Sequence, residues 1–287
     1  MIPGSFAYHR PNSVKEAVAL LADLGEEARP LAGGHSLIPM MKLRLAAPEH
    51  LVDLGGIKDI KGIRADGADI VIGAMTTQQE LVVSDLLSSK LPLLRETSLV
   101  IADPQVRYMG TLGGNVANGD PGNDMPAVMM CLGATYEVMG KKGGRRVAAR
   151  EFYKGAYDTA LAPSEIVTAI RIPVPATGAG YAYEKLKRKV GDYATAAAAV
   201  VLSMKGGKVA SCSIALTNVA DTPLWAEQAA KMLVGSALDP ATVKKAVAAA
   251  EAITSPASDR RGPAQYRTKM AGVMLTRALA RAKSHAA

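Results

Sequence analysis

The chain has 287 residues, of which 49% are hydrophobic, 21% charged and 4% aromatic. That composition excludes a disordered or fibrous protein, and at roughly 150 residues per domain the length suggests about two domains. Lys and Arg (34) outnumber Asp and Glu (26), giving a net charge of +8. The basic residues are dispersed, the densest runs being 185–189 and 260–261, and no aromatic side chains alternate with them as in single-strand nucleic-acid binders. Nucleic acid is therefore not expected as a partner, and the excess charge suits a solvated face, an acidic partner or a membrane surface.

In chain order, Asn12-Ser13 opens a helix with Glu16 as a capping-box residue, Val14, Ala17, Val18, Leu21 and Leu24 as its apolar stripe, and Gly25 at its end. Strands are expected at 29–32, 50–53 and 70–74. Thr77 with Glu80 caps a second helix running to Val83, and a third spans 91–101. Residues 103–126 read as a long polar loop, a length that suggests a function. A hairpin follows at 134–149, then a strand at 166–172. The Pro- and Gly-rich segment 173–178 is the linker candidate, dividing the chain into 1–176 and 177–287. Beyond it, strands at 181–187, 196–204 and 208–216 precede helices at 226–234, 240–252 and 264–281, an α+β pattern.

Two glycine turns carry the chemistry. Ala32-Gly33-Gly34-His35-Ser36 follows a strand, and Thr111-Leu112-Gly113-Gly114-Asn115 lies in the long loop. Adjacent glycines reach positive φ and let a ligand approach the backbone, and successive N–H groups form an anion-binding hollow. Ser36, Thr111 and Asn115 add side-chain donors, so the two turns suit one pyrophosphate held from both sides. Neither is G-x-G-x-x-G; Asp53 stands near the spacing of a ribose-binding acid but lacks the fingerprint before it, which argues against a nicotinamide site. Asp124, in a polar segment after the second turn, could accept ribose hydroxyls or belong to an Asx-turn, and the residues alone favour the turn.

The four His (His9, His35, His50, His285) show no metal-ligand spacing, and two Cys (Cys131, Cys212) are too few for an iron–sulfur cluster. There is no G-x-S-x-G elbow and no other nucleophilic or acid–base set, so a cofactor must do any chemistry. The longest apolar run, 196–202, has 7 residues, far from the ~20 of a membrane span. The first residues lack a secretory pattern, and a cytoplasmic location is expected.

The stretches RPLAGGHSLIP, IADPQVRYMGTLGGN, NGDPGNDMPA, GYAYEKLKRKVGDYATAAAAVV and SDRRGPAQYRTKMAGVML resemble the FAD-binding subunits of the molybdenum hydroxylases, the xanthine dehydrogenase-like family. The GDPGNDMPA and GDYATAAAA stretches resemble most its carbon-monoxide-oxidising branch. A sister subunit serving a purine, nicotinate or aromatic thioester enzyme stays open, because the flavin subunit does not touch that substrate.

The resemblance implies an N-terminal FAD domain of the vanillyl-alcohol-oxidase/PCMH type, over 1–176, and a C-terminal domain of three antiparallel strands and a helical bundle, over 177–287. FAD would lie non-covalently between them. Ala32, Gly33, Gly34, His35 and Ser36 with Thr111, Gly113, Gly114 and Asn115 would hold the pyrophosphate. Asp124 would serve the adenosine side, Ile101 and Ala102 would flank the isoalloxazine, and Lys185 would bring positive charge to it. Tyr193 would lie against the ring, although a half-buried strand Tyr is an equal reading of the residues. His35, the position of covalent attachment in some other flavin folds, would be a loop residue. The resemblance further implies a large subunit with a molybdenum–copper cofactor, a small [2Fe–2S] subunit, and a dimer of such heterotrimers. Electrons would pass from the clusters to FAD and on to a quinone or cytochrome.

Overall fold

The computed structural model describes residues 2–286. The N-terminal portion opens with β1 (Ala7–His9), α1 (Val14–Leu24), β2 (Ala28–Leu31), α2 (Leu37–Lys42) and β3 (His50–Asp53). Ser13 Oγ accepts the Glu16 N–H at the start of α1, and the Glu16 carboxylate returns to the Asn12 N–H, one residue before the cap. Gly25, at φ 62°, ends the helix in a conformation that costs glycine little. The three strands form a parallel sheet in the order β1-β3-β2, and α1 covers it with Ala17, Val18 and Leu21.

A second sheet of five antiparallel strands, ordered β4-β5-β10-β6-β7, is built from β4 (Ile63–Asp66), β5 (Asp69–Gly73), β6 (Thr135–Gly140), β7 (Gly143–Ala148) and β10 (Ile166–Pro173). Between β5 and β6 lie α3 (Gln78–Val83), α4 (Asp85–Lys90), α5 (Pro92–Val100), α6 (Pro104–Met109), α7 (Leu112–Ala117) and α8 (Asp124–Leu132). After β7 come α9 (Ala149–Phe152) and the small hairpin of β8 (Tyr153–Gly155) and β9 (Asp158–Thr159). The expected long loop at 103–126 is thus corrected: it holds α6, α7 and the start of α8. Its helices are short, and glycine and proline break the apolar period that reveals longer ones. Asp103 and Thr111 cap α6 and α7 through their side chains.

The C-terminal portion contains β11 (Gly180–Leu186), β12 (Ala196–Lys205), β13 (Lys208–Thr217) and β14 (Leu224–Trp225), followed by α10 (Glu227–Leu233), α11 (Pro240–Ala252) and α12 (Ala264–His285). The sheet has four antiparallel strands rather than the three expected, because the two-residue β14 is too short to leave a periodic signal. Gly206 and Gly207, both at positive φ, make the β12–β13 turn.

The alanine run of β12 explains how the two portions join. Ala197 and Ala199 face the N-terminal core beside α8, while Ala196, Ala198, Val200 and Leu202 face α10–α12. Small side chains on both faces let a helix approach the strand from either side. The C-terminal sheet therefore shares one hydrophobic core with the first portion, Tyr183 and Ala215 lying in the same cluster as Leu94, Met125 and Ile170.

Candidate functional site

Between the two portions is a cavity of about 640 Å³, within the range of cofactor sites. Every candidate taken from the sequence lies on its wall: Ala32 to Ser36, Ile101, Ala102, Thr111, Gly113, Gly114, Asn115, Asp124, Lys185 and Tyr193.

The two glycine turns are not alike. Gly34 has φ 76° and the turn enters α2; the N–H groups of Gly33, Gly34, His35 and Ser36 have no partner among the described residues. They are open donors at the head of the cavity. In the second turn the amides of Leu112 to Asn115 are all spent. Leu112 N–H goes to Thr76 O (2.9 Å), Gly113 to Ala74 O (2.8 Å) and Asn115 to Thr111 O (3.0 Å), while Gly114 goes to Thr111 Oγ1 (3.0 Å). Gly113 and Gly114 are helical, not at positive φ. The expectation of two amide-lined turns is corrected here. The second turn supplies close approach and side chains, and Thr111, whose oxygen already accepts from Gly114, retains its hydroxyl proton for a ligand.

The glycines are required by contact between the turns. A Cβ on Gly33 would collide with the Met109 carbonyl, and one on Gly113 would lie 2.6 Å from Ala74 O. The first turn is thereby seated on the end of α6, and the second on the end of β5.

The far end of the cavity is polar and charged but internally paired. In β11, Tyr183 and Lys185 stand opposite Ala199 and Ala197, on the face that meets α8. Tyr183 Oη donates to Asp124 Oδ1 (2.5 Å) and Lys185 Nζ to Asp124 Oδ2 (2.7 Å). The Lys185 and Asp124 side chains are 3% and 6% exposed. Burial, then the Asp124 charge, holds the Tyr183 hydroxyl well above its ordinary value. Asp124 is therefore no Asx-turn residue; Asp120 makes that turn, accepting the Gly122 N–H. Both Asp124 oxygens accept hydrogen bonds at the junction of the two portions, on the wall of the cavity.

Lys185 and Lys187 both reach the Val100 carbonyl (3.4 Å each), at the end of α5. Burial, then the neighbouring Lys185 charge, lowers the Lys187 ammonium below its ordinary value. The next residues are Ile101, buried, and Ala102, held at φ 43°. A non-glycine residue there is strained, and such strain collects at ligand sites. Tyr193 is half-exposed on the rim beside Gly122, and burial raises its hydroxyl above the ordinary value. His35 is exposed at the rim.

Sequence reasoning missed Gln78, Asn118, Tyr157 and Glu165, which also line the cavity. Three side-chain atoms on this wall are buried without a partner: Gln78 Nε2, Asn115 Oδ1 and Asn118 Nδ2. Thr111, Asn115 and Asn118 fall at i, i+4 and i+7, on one face of α7, a spacing that could have revealed Asn118. Elsewhere, the fold brings Glu27, Glu49 and His50 together, with ligand atoms within 4.8 Å, which no sequence spacing shows.

A hollow with open backbone donors at one end, unpartnered amides along its wall and a strained apolar turn near paired charges fits a flavin dinucleotide, and defines the class as a dinucleotide-binding flavoprotein. Residues 4–175 match the family of the FAD binding domain in molybdopterin dehydrogenase, and residues 181–282 match the CO dehydrogenase flavoprotein C-terminal domain. The chain belongs to this family of molybdopterin dehydrogenase flavoproteins.

It is 72% identical over 286 residues to the carbon monoxide dehydrogenase medium chain of Afipia carboxidovorans, covering 100% of this chain and 99% of the relative. It is 52% identical to the corresponding medium chain of Hydrogenophaga pseudoflava, covering 97% of each. The crystal structure of the cyanide-inactivated Cu,Mo-CO dehydrogenase contains a chain that superposes with a TM-score of 0.99 at 72% identity, each chain covered completely. The fold is thus the PCMH-type flavin domain joined to its family's C-terminal domain.

Proposed function

We propose that this chain is the FAD-carrying medium subunit of a molybdenum- and copper-containing carbon monoxide dehydrogenase. The observation that carries the reading is 72% identity along the whole chain to such a medium chain. When bound, FAD would supply electron storage between the [2Fe–2S] subunit and an external quinone or cytochrome, while the large subunit oxidises CO with water to CO2.

This chain's residues bind and shield. The open amides of 33–36 and the Thr111 hydroxyl hold the diphosphate, with the side chains of Asn115 and Asn118 beside it. The cofactor is held non-covalently, His35 remaining a rim residue. Ile101, Ala102 and Tyr193 line the cavity; with FAD bound, the first two would give the ring an apolar wall that excludes water and Tyr193 would cover it from the rim. Lys185 brings positive charge to the flavin end, but its ion pair with Asp124 cancels much of that field; Lys187 adds a second cation. The pair instead fixes the approach of β11 to the site.

The same proposal includes the boundary near 176/177, where the chain leaves β10 and enters β11, large and small partner subunits, and a dimer of heterotrimers in the cytoplasm. No described helix is long and apolar enough to cross a membrane. Contact with an anionic membrane surface is supported by the +8 charge. Salt-sensitive sedimentation with anionic liposomes tests that contact, and its absence removes it.

Native purification tests the function. The complex should contain molybdenum, copper, iron and FAD and reduce a dye when given CO. A complex without copper that ignores CO and oxidises a heterocycle overturns the reading.

A further inference from the structure

Gln78 is the most buried of the cavity's unpartnered polar side chains, at 2% exposure. Its position is fixed on two sides. Its backbone N–H donates to Gly110 O (2.8 Å), tying it to the entry of the second glycine turn. Its Oε1 accepts from the Ser98 hydroxyl (3.1 Å), and Ser98 is itself fully buried in the last turn of α5. That turn leads directly into Ile101 and the strained Ala102. The amide is thus anchored through its oxygen, with both N–H donors on Nε2 left without a protein partner.

A buried amide nitrogen with no acceptor is disfavoured, and natural proteins seldom retain one unless something outside the chain completes it. Gln78 lines the cavity, bonded through its backbone to Gly110, which precedes the second glycine turn, and through its side chain to Ser98, three residues before Ile101. We propose that Gln78 is a cofactor-binding residue whose Nε2 donates a hydrogen bond to an acceptor atom of the bound dinucleotide, with Ser98 as the positioning residue that orients it. This inference rests on the FAD reading above.

The competing explanation is purely structural: Gln78 would only tie α3 to α5 through Ser98. Gln78→Glu separates the two, since it keeps an oxygen for Ser98 and replaces the donor nitrogen with an acceptor. Gln78→Met removes the donor while preserving length, and provides the reading should the Glu variant not fold. Ser98→Ala cuts the tie and leaves the donor.

The complex, expressed with its partner subunits, is stripped of flavin and titrated with FAD, following flavin fluorescence, and the stripped form is unfolded in urea. The expected result is a rise in the FAD dissociation constant of about tenfold or more for both Gln78 variants, the scale of one lost buried hydrogen bond, and a smaller rise for Ser98→Ala. Unfolding of the stripped Gln78→Met form should track Ser98→Ala, since both lose only the tie. Wild-type FAD affinity in the Gln78 variants overturns the inference while leaving the cofactor reading intact. A folded wild-type complex that takes up no FAD overturns both.

Discussion

Asp124, the first residue of α8, and Lys185, in the middle of β11, form an ion pair 2.7 Å long that joins the two halves of the molecule from inside their common core. Tyr183, two residues before the lysine, occupies the other carboxylate oxygen. Burial strips water from all three, so each depends on the others.

Removing one partner should cost more than removing the pair. Asp124→Asn leaves a buried ammonium facing only a neutral amide and the Val100 carbonyl, and Lys185→Met leaves a buried carboxylate with only the Tyr183 hydroxyl. Each is expected to destabilise the chain by about 3–5 kcal/mol. The double variant should lose less than the sum, measured by urea unfolding as a double-mutant cycle. Additive losses would mean that the two side chains do not interact.

The glycines divide into folding and binding roles. Gly33→Val and Gly113→Val place side chains against backbone, so both should yield insoluble or unfolded chain. Gly34→Ala is different. Its φ of 76° costs an alanine about 1–2 kcal/mol, and the atom it meets is the movable end of Ile38. The variant should fold, and hold flavin more weakly because the open amides shift. Flavin content against soluble yield distinguishes the classes.

The alanine strand predicts a packing limit on both faces. Ala199→Leu inserts bulk toward α8, and Ala198→Leu toward α12. Each should cost about 1–3 kcal/mol by overpacking. Only the Ala199 variant, which lies opposite Tyr183, should also weaken flavin binding.

Glu165 lines the cavity while bonded to Arg145 (2.6 Å) and to the Ala162 N–H (2.7 Å), and the Arg145 hydrogen bond holds its carboxyl below the ordinary value. The ionised form is thus preferred by the folded chain. Its stabilisation is complete above the ordinary carboxylate range, and is lost as pH falls through that range and the lowered value. Glu165→Gln should be less stable than wild type at neutral pH and show a shallower loss between about pH 5 and pH 3, read from urea midpoints across that range.

The longer elements were legible because their physics is local. The Ser13 and Thr77 caps, the Gly206-Gly207 turn and helix α11 follow from residues next to one another. The site residues were legible mainly as a family pattern, and the fold gathers them into one cavity. Their roles were not. The second glycine pair looks like the first in sequence, yet the Gly113 amide is consumed by the Ala74 carbonyl and that of the preceding Leu112 by Thr76, partners almost forty residues away that only the tertiary structure supplies, while Gly114 is taken by the Thr111 side chain. Asp124 likewise gave no sign of Lys185, 61 positions on. Gln78 stood unnoticed inside a helix-capping segment, since a single amide carries no periodic signal.

The central claim is that this cavity holds one FAD without a covalent bond. The most direct measurement is the flavin stoichiometry of the native complex after acid precipitation. The account predicts one FAD per copy of this chain, all of it released into the supernatant. A folded complex that yields no flavin, or one whose flavin remains with the precipitated chain, would contradict it.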